Sequence, residues 1–185
     1  MGELKQTKDK ESNEKEQSRS DREFMRRRHL ARSLAMQFLF QADNRGEWEW
    51  SSDSFDLFTA SAAIQDNDEL DMAGDCRPLL SDLESALPYA RKLAQGAMEH
   101  KPEIDSAIEA ASVNWSLQRM SQADRAILRM ASYELLFEKK VPAATSINEA
   151  VELSKDYGET KSPKFINGVL DKVREDCGRT GRKSI

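Results

Sequence analysis

The sequence predicts an all-α protein, two small helical bundles sharing one core and built from about six or seven helices. Three observations predict it. Apolar residues recur at spacings of three and four in most of the chain after Phe24. No segment alternates apolar and polar residues as a half-buried strand does. Proline, glycine and serine stand where helices of that spacing would start and stop.

Residues 1–22, MGELKQTKDKESNEKEQSRSDR, carry Leu4 as their one strong apolar residue after the initiator and are expected to form a disordered polar tail. A first helix is expected from about Phe24 to Gln41, with Leu30, Leu34 and Phe38 recurring every four residues and Ala31 and Ala35 widening the stripe. Arg26, His29 and Arg32 fall off that stripe, Arg28 at its margin and Arg27 toward its apolar side. The stretch from about 43 to 80 reads as an acidic insert: Phe55, Leu57 and Phe58 can anchor a short helix, and an acidic loop follows Gln65. Trp48 and Trp50 read as cover for an open edge of the core, or else as a partner surface.

From Ser81 the helical signal is continuous. Leu83, Leu87, Ala90, Leu93, Ala94, Ala97 and Met98 line one helix, which Pro88 either bends or opens. A second begins near Pro102 with Ile104, Ala107, Ile108 and Ala111 inward. Ser121 and Asp124 have capping-box spacing before ADRAILRMASYELLF, the most apolar helix and the expected centre of the core. Ser146 with Glu149 predicts another capping box, Gly158 a left-handed helix end, and Ser162–Pro163 the start of the last helix, which Gly178 closes. The folded domain therefore spans 23–178, with 179–185 a flexible C-terminus.

The net charge of −5 hides a division. Residues 24–42 hold four arginines and no acid, residues 43–86 twelve acids against two basic residues, and the chain from Lys161 onward seven basic residues against three acids. Local charge of this kind, not the average, steers a polyanion. Cys76 and Cys177 form neither a metal spacing nor a disulfide framework, and no apolar run approaches a membrane span, so a soluble cytoplasmic protein without cofactor is expected.

An enzyme finds little support: the sequence holds no glycine-rich phosphate loop, no Cys/His cluster and no nucleophile elbow. RNA binding finds more. Arg26, Arg27, Arg28 and Arg32 surround His29, Phe40 ends the same helix, and Phe165 opens the last one beside Lys161 and Lys164. Guanidinium groups fork onto phosphates, and aromatic faces stack on unpaired bases. The competing reading makes Phe40 and Phe165 core residues and the arginines ordinary solubilising surface.

In ARSLAMQFLFQ (31–41), ALPYARKLAQGAMEHKPEIDSAI (86–108), WSLQRMSQADRAILRMASYELL (115–136) and, above all, INEAVELSKDYG (147–158) followed by SPKFINGVLDKV (162–173), the chain resembles the bacterial transcription antitermination factor NusB family. The resemblance implies two all-helical bundles in a non-enzymatic adaptor that occurs as monomer or homodimer. It implies binding of the single-stranded boxA sequence of ribosomal RNA leaders with the ribosomal protein NusE, in support of the transcription elongation complex on ribosomal RNA genes. Carried over by position, the family's RNA surface falls on Arg28, His29 and Arg32, with Arg26 and Arg27 upstream, on Phe40, and on Lys161, Lys164 and Phe165. Lys161 departs from the acid common there, and the loop at 61–80 is longer than usual. Asn148, Glu149 and Asn167 are expected to be structural, with Asn167 bonding across the final corner. A basic protein partner is expected near Glu134, Glu138 and Tyr157. The alternative is a protein-binding helical scaffold or homodimer without specific RNA binding.

Overall fold

The computed structural model describes residues 2–68, 80–113 and 115–179, and the side chains of 16–62, 81–113 and 115–179. Among the described residues are seven α-helices: α1 (Gly2–Arg45), α2 (Ser52–Asp68), α3 (Leu80–Glu99), α4 (Lys101–Ala111), α5 (Gln122–Phe137), α6 (Ala143–Tyr157) and α7 (Ser162–Asp176), with a 3-10 turn at Leu117–Arg119 before α5. The all-α expectation holds. Helices α1, α2 and α3 pack on one another, α4 to α7 form a second bundle, and α5 touches α1, α3, α4, α6 and α7. One apolar cluster runs through both bundles. As its apolar run predicts, α5 is the central helix: Ala126 to Leu135 are buried without a break.

The local signals were met unevenly. The Ser121 Oγ accepts from the Asp124 N–H at 3.1 Å, as the spacing predicts. Gly178 ends α7 at φ 72°. The expected cap at Ser146 is not made, because α6 begins a turn earlier at Ala143, behind Pro142. Ser146 is buried instead, and Glu149 is left to face α1. Gly158 is extended, at φ −98°. Its lack of a side chain serves a close approach, since a Cβ there would lie 2.6 Å from that of Ser162. Ser162 Oγ accepts the Glu159 N–H at 2.9 Å and so ties the corner, while Lys161 occupies the cap position. Asn167 donates to Asp171 within its own helix at 2.9 Å, not across the corner. Pro88 stands inside α3, exposed, where water can serve the carbonyl it leaves free.

The described residues begin at Gly2 and end at Arg179. Helix α1 continues back to Gly2 through the segment expected to be disordered. Glu, Lys, Gln and Arg are good helix formers, and pairs one turn apart support them: Gln17 with Asp21 at 3.0 Å and Arg19 with Glu23 at 3.3 Å. Residues 16–22 are exposed, so propensity and local pairing rather than a core sustain this stretch.

At the other end, Arg179 is tied to the turn after α5. Its guanidinium donates to the carbonyls of Glu134 (3.3 Å), Leu135 (2.7 Å), Lys139 (3.4 Å) and Val141. Glu134 and Leu135 lie in the last turn of α5, where the dipole favours a cation, and Lys139 and Val141 in the turn that follows it. Arg179→Ala should lower stability by about 2 kcal/mol in urea unfolding, and Arg179→Lys should recover little of it because an ammonium cannot span the same fork. Cys76, most of the acidic loop expected after Gln65, and residues 180–185 lie outside the described residues.

The two tryptophans cover the core edge. Trp50 meets Phe38 edge-on at 5.9 Å, and Trp48 lies 4.6 Å from the Arg129 guanidinium and 4.9 Å from the Lys101 ammonium.

Candidate nucleic-acid interface

Arg32 departs furthest from expectation. Only 2% of it is exposed, and it is fixed to Glu134, which is wholly buried. Its Nε donates to both Glu134 oxygens at 3.1 and 3.2 Å, with Nη2 at 3.0 Å. Tyr89 donates its hydroxyl to the same carboxylate. Burial first, and then the Glu134 charge, push the Tyr89 hydroxyl well above the usual phenol range. Arg32 cannot reach a phosphate without abandoning a buried acid, so it is a strut beneath the surface. The same geometry removes Glu134 from any partner surface. Glu138 is half-buried, with Lys92 at 2.7 Å.

The arginines before it divide. Arg26 and Arg27 both donate to the buried Asp82 at the start of α3, Arg27 Nε at 3.1 Å, while keeping exposures of 54% and 39% at their own side chains. Arg28 turns toward α3, its guanidinium 3.5 Å from the centre of the Tyr89 ring and 5.5 Å from that of Phe24.

His29 turns the other way. Its Nδ1 lies 3.0 Å from the Glu149 carboxylate on α6, and the same oxygen is 3.5 Å from Arg32 Nη1. The hydrogen bond to Glu149 raises the His29 pKa above 6.5, against the opposing effect of burial. For Glu149, burial pushes the pKa up, and the hydrogen bond to His29 with the charges of Arg32 and His29 outweigh it to leave the carboxyl below 4.5. One turn on, Ser33 shares a hydrogen bond of 2.9 Å with the Tyr157 hydroxyl, and Gln37 donates to both, at 3.0 Å to Ser33 and 3.1 Å to Tyr157. Tyr157 is the last residue of α6, so these bonds fasten α1 to the corner that leads into α7. Lys161 and Lys164 are exposed at that corner, and Phe165 is half-buried against the core. Phe40, 36% exposed, falls three residues beyond Gln37 on the same side of α1.

The NusB family model matches residues 29–175. The chain belongs to the NusB family. The transcription antitermination protein NusB of Desulfitobacterium hafniense is 43% identical over 156 residues, covering 84% of this chain and 93% of that protein. NusB of Bacillus subtilis is 42% identical over 95 residues, covering 51% and 72%. Among solved structures, T. maritima NusB superposes with a TM-score of 0.60 at 34% identity, covering 80% of this chain and 91% of that one. A crystal structure of antitermination factors NusB and NusE in complex with dsRNA matches with a TM-score of 0.62 at 30% identity, covering 82% and 98%.

Within this NusB fold the structure brings His29, Ser33 and Gln37 of α1 against Glu149 and Tyr157 of α6, and Tyr157 leads into the corner that carries Lys161 and Lys164. It sets Arg28 aside against α3 and buries Arg32. Sequence reasoning missed Asp82 and Tyr89, the partners that decide where the arginines point. The available signal was Glu134 itself, an acid in the most apolar helix, which burial obliges to find a cation. No helix among the described residues is long and apolar enough to cross a membrane.

Proposed function

We propose that this protein is a non-catalytic, cytoplasmic RNA-binding adaptor of transcription antitermination. It binds boxA-like single-stranded RNA of ribosomal RNA leaders together with the ribosomal protein NusE, as part of the transcription elongation complex. The observation that carries this reading is the fastening of α1 to the end of α6 through Ser33, Gln37 and Tyr157, four residues before Lys161 in the chain. Family membership supports it, and the NusB–NusE structure with RNA supports an adaptor that works with a protein partner. The RNA contacts are Arg26, Arg27, His29, Phe40, Lys161 and Lys164, with Arg28 and Arg32 holding the helix that carries them. Two modest interfaces joined in one assembly let an acidic chain bind RNA selectively.

Fluorescence anisotropy with a boxA-like RNA, with and without the ribosomal protein, tests this across salt. Arg26→Ala with Lys164→Ala should weaken binding and reduce the slope of log K against log salt by about 1.4, each single-strand phosphate contact contributing about 0.7. Unchanged affinity and slope would reject the edge. Capture of the ribosomal protein with no gain from RNA would favour the scaffold reading instead.

A further inference from the structure

From the buried core to the surface, four side chains form a ladder of alternating charge: Glu134, Arg32, Glu149 and His29. The inner two are fixed, being wholly or almost wholly buried and joined by three contacts of 3.0 to 3.2 Å. Arg32 Nη1 makes no hydrogen bond of its own and lies 3.5 Å from Glu149 Oε2, so it holds that carboxylate from below by charge. The same Oε2 meets His29 Nδ1 at 3.0 Å, while 38% of the His29 side chain stays exposed. With Nδ1–H committed to α6, the ring's other donor, Nε2–H, takes no partner among the described residues. A carboxylate that orders an imidazole through one nitrogen and frees the other to act outward is a general device of histidine chemistry.

We propose that Glu149 is a positioning residue for RNA capture: it holds His29 as an imidazolium whose Nε2–H donates to an RNA phosphate oxygen, so that affinity falls as pH rises. This rests on the RNA-binding reading above and adds a protonation requirement to it. The charged groups facing His29 are Glu149 and Asp156 from α6, which favour the cation, and Arg32 from its own helix, which opposes it. With the His29 pKa raised above 6.5, the cation and its bridge are intact below that pH and are lost as pH climbs through the folded-state value. Glu149, lowered from 4.5, stays ionised through this whole window, as does the phosphodiester. The imidazole is therefore the rung whose charge is lost as pH rises.

The test is anisotropy of the full chain with a boxA-like RNA oligonucleotide from pH 5.5 to 9 at constant salt, beside an NMR titration of the His29 Cε1 proton in the free protein. The wild-type chain should lose about threefold to tenfold in affinity across the His29 midpoint, the worth of one partly exposed charged hydrogen bond. His29→Gln should bind weakly with a flat profile, and His29→Arg should bind at pH 8.5 as the wild type does in acid. Glu149→Gln should move the NMR midpoint down, and the affinity profile with it. Glu149→Asp, which keeps the charge, should restore part of the shift, and thermal melts confirm that each variant is folded. RNA binding with a wild-type profile as flat as that of His29→Gln, or an NMR midpoint unmoved by Glu149→Gln, overturns the inference alone. An absence of RNA binding at every pH overturns the proposed function, and the inference with it.

Discussion

Arg32→Met is expected to destabilise the fold by about 3–5 kcal/mol, because it strands the Glu134 carboxylate in the core without its counter-charge. Glu134 is wholly buried and Arg32 is 2% exposed, so water cannot replace the lost partner. The Tyr89 hydroxyl still donates to Glu134 but brings no charge. The double variant Arg32→Met, Glu134→Gln should be more stable than Arg32→Met alone, since its amide oxygen still accepts from Tyr89 and no buried charge is left. Urea unfolding of the three chains measures both effects. A loss below about 1 kcal/mol for Arg32→Met would mean that the pair is not the strut described here. RNA binding separates this role from a phosphate contact: under conditions where Arg32→Met is folded, its salt slope should match the wild type, whereas Arg26→Ala and Lys164→Ala reduce it.

The contrast between Arg26 and Arg32 shows what the sequence could disclose. Helix identity was legible because it rests on local facts: apolar spacing placed α3 to α7, Ser121 capped α5, and Gly178 closed α7. The resemblance pointed to the first helix and the final corner as the elements of one surface. What stayed hidden was the division of labour among five neighbouring cations. That division depends on residues far along the chain, namely Asp82 for Arg26 and Arg27, Tyr89 for Arg28, Glu149 for His29 and Glu134 for Arg32. A count of charges on a helical wheel treats such cations alike. Only the partner decides which one becomes a strut and which keeps a free face.

The acids of the 43–86 stretch carry the same lesson. Sequence patterning reads them as an acidic insert, and three of the described ones hold arginines of the domain: Asp43 holds Arg125 and Arg129, Asp56 holds Arg91, and Asp82 holds Arg26 and Arg27. The segment therefore helps to dock α1, α2, α3 and α5 on one another, and its negative charge is in part already neutralised. This reconciles a basic edge on α1 with an acidic chain: near that edge, Asp82 is an internal partner and not a repellent surface group.

Asp43→Ala should cost about 3 kcal/mol near neutral pH, the second large loss expected here. Asp43 sits at the end of α1 and joins it to α5, accepting from Arg125 Nε at 2.9 Å and from Arg129 Nη1 at 2.8 Å. Arg129 is 4% exposed and shares its guanidinium with Asp105, at 2.7 and 3.1 Å, and with the Trp48 ring. Without Asp43, Asp105 must balance Arg129 alone, and Arg125 keeps only backbone acceptors at Leu117 and Met120. Burial pushes the Asp43 carboxyl up, but its bonds to Arg125 and Arg129 outweigh that and hold it below 3.8. A lowered carboxyl pKa means stabilisation that is present above 3.8 and is lost as pH falls through the folded-state value. The difference in unfolding free energy between wild type and Asp43→Ala should therefore be steady from pH 5 to 8 and close toward zero in stronger acid. A gap that persists unchanged below pH 3 would show that the loss comes from packing at the α1–α5 junction rather than from the charge of Asp43.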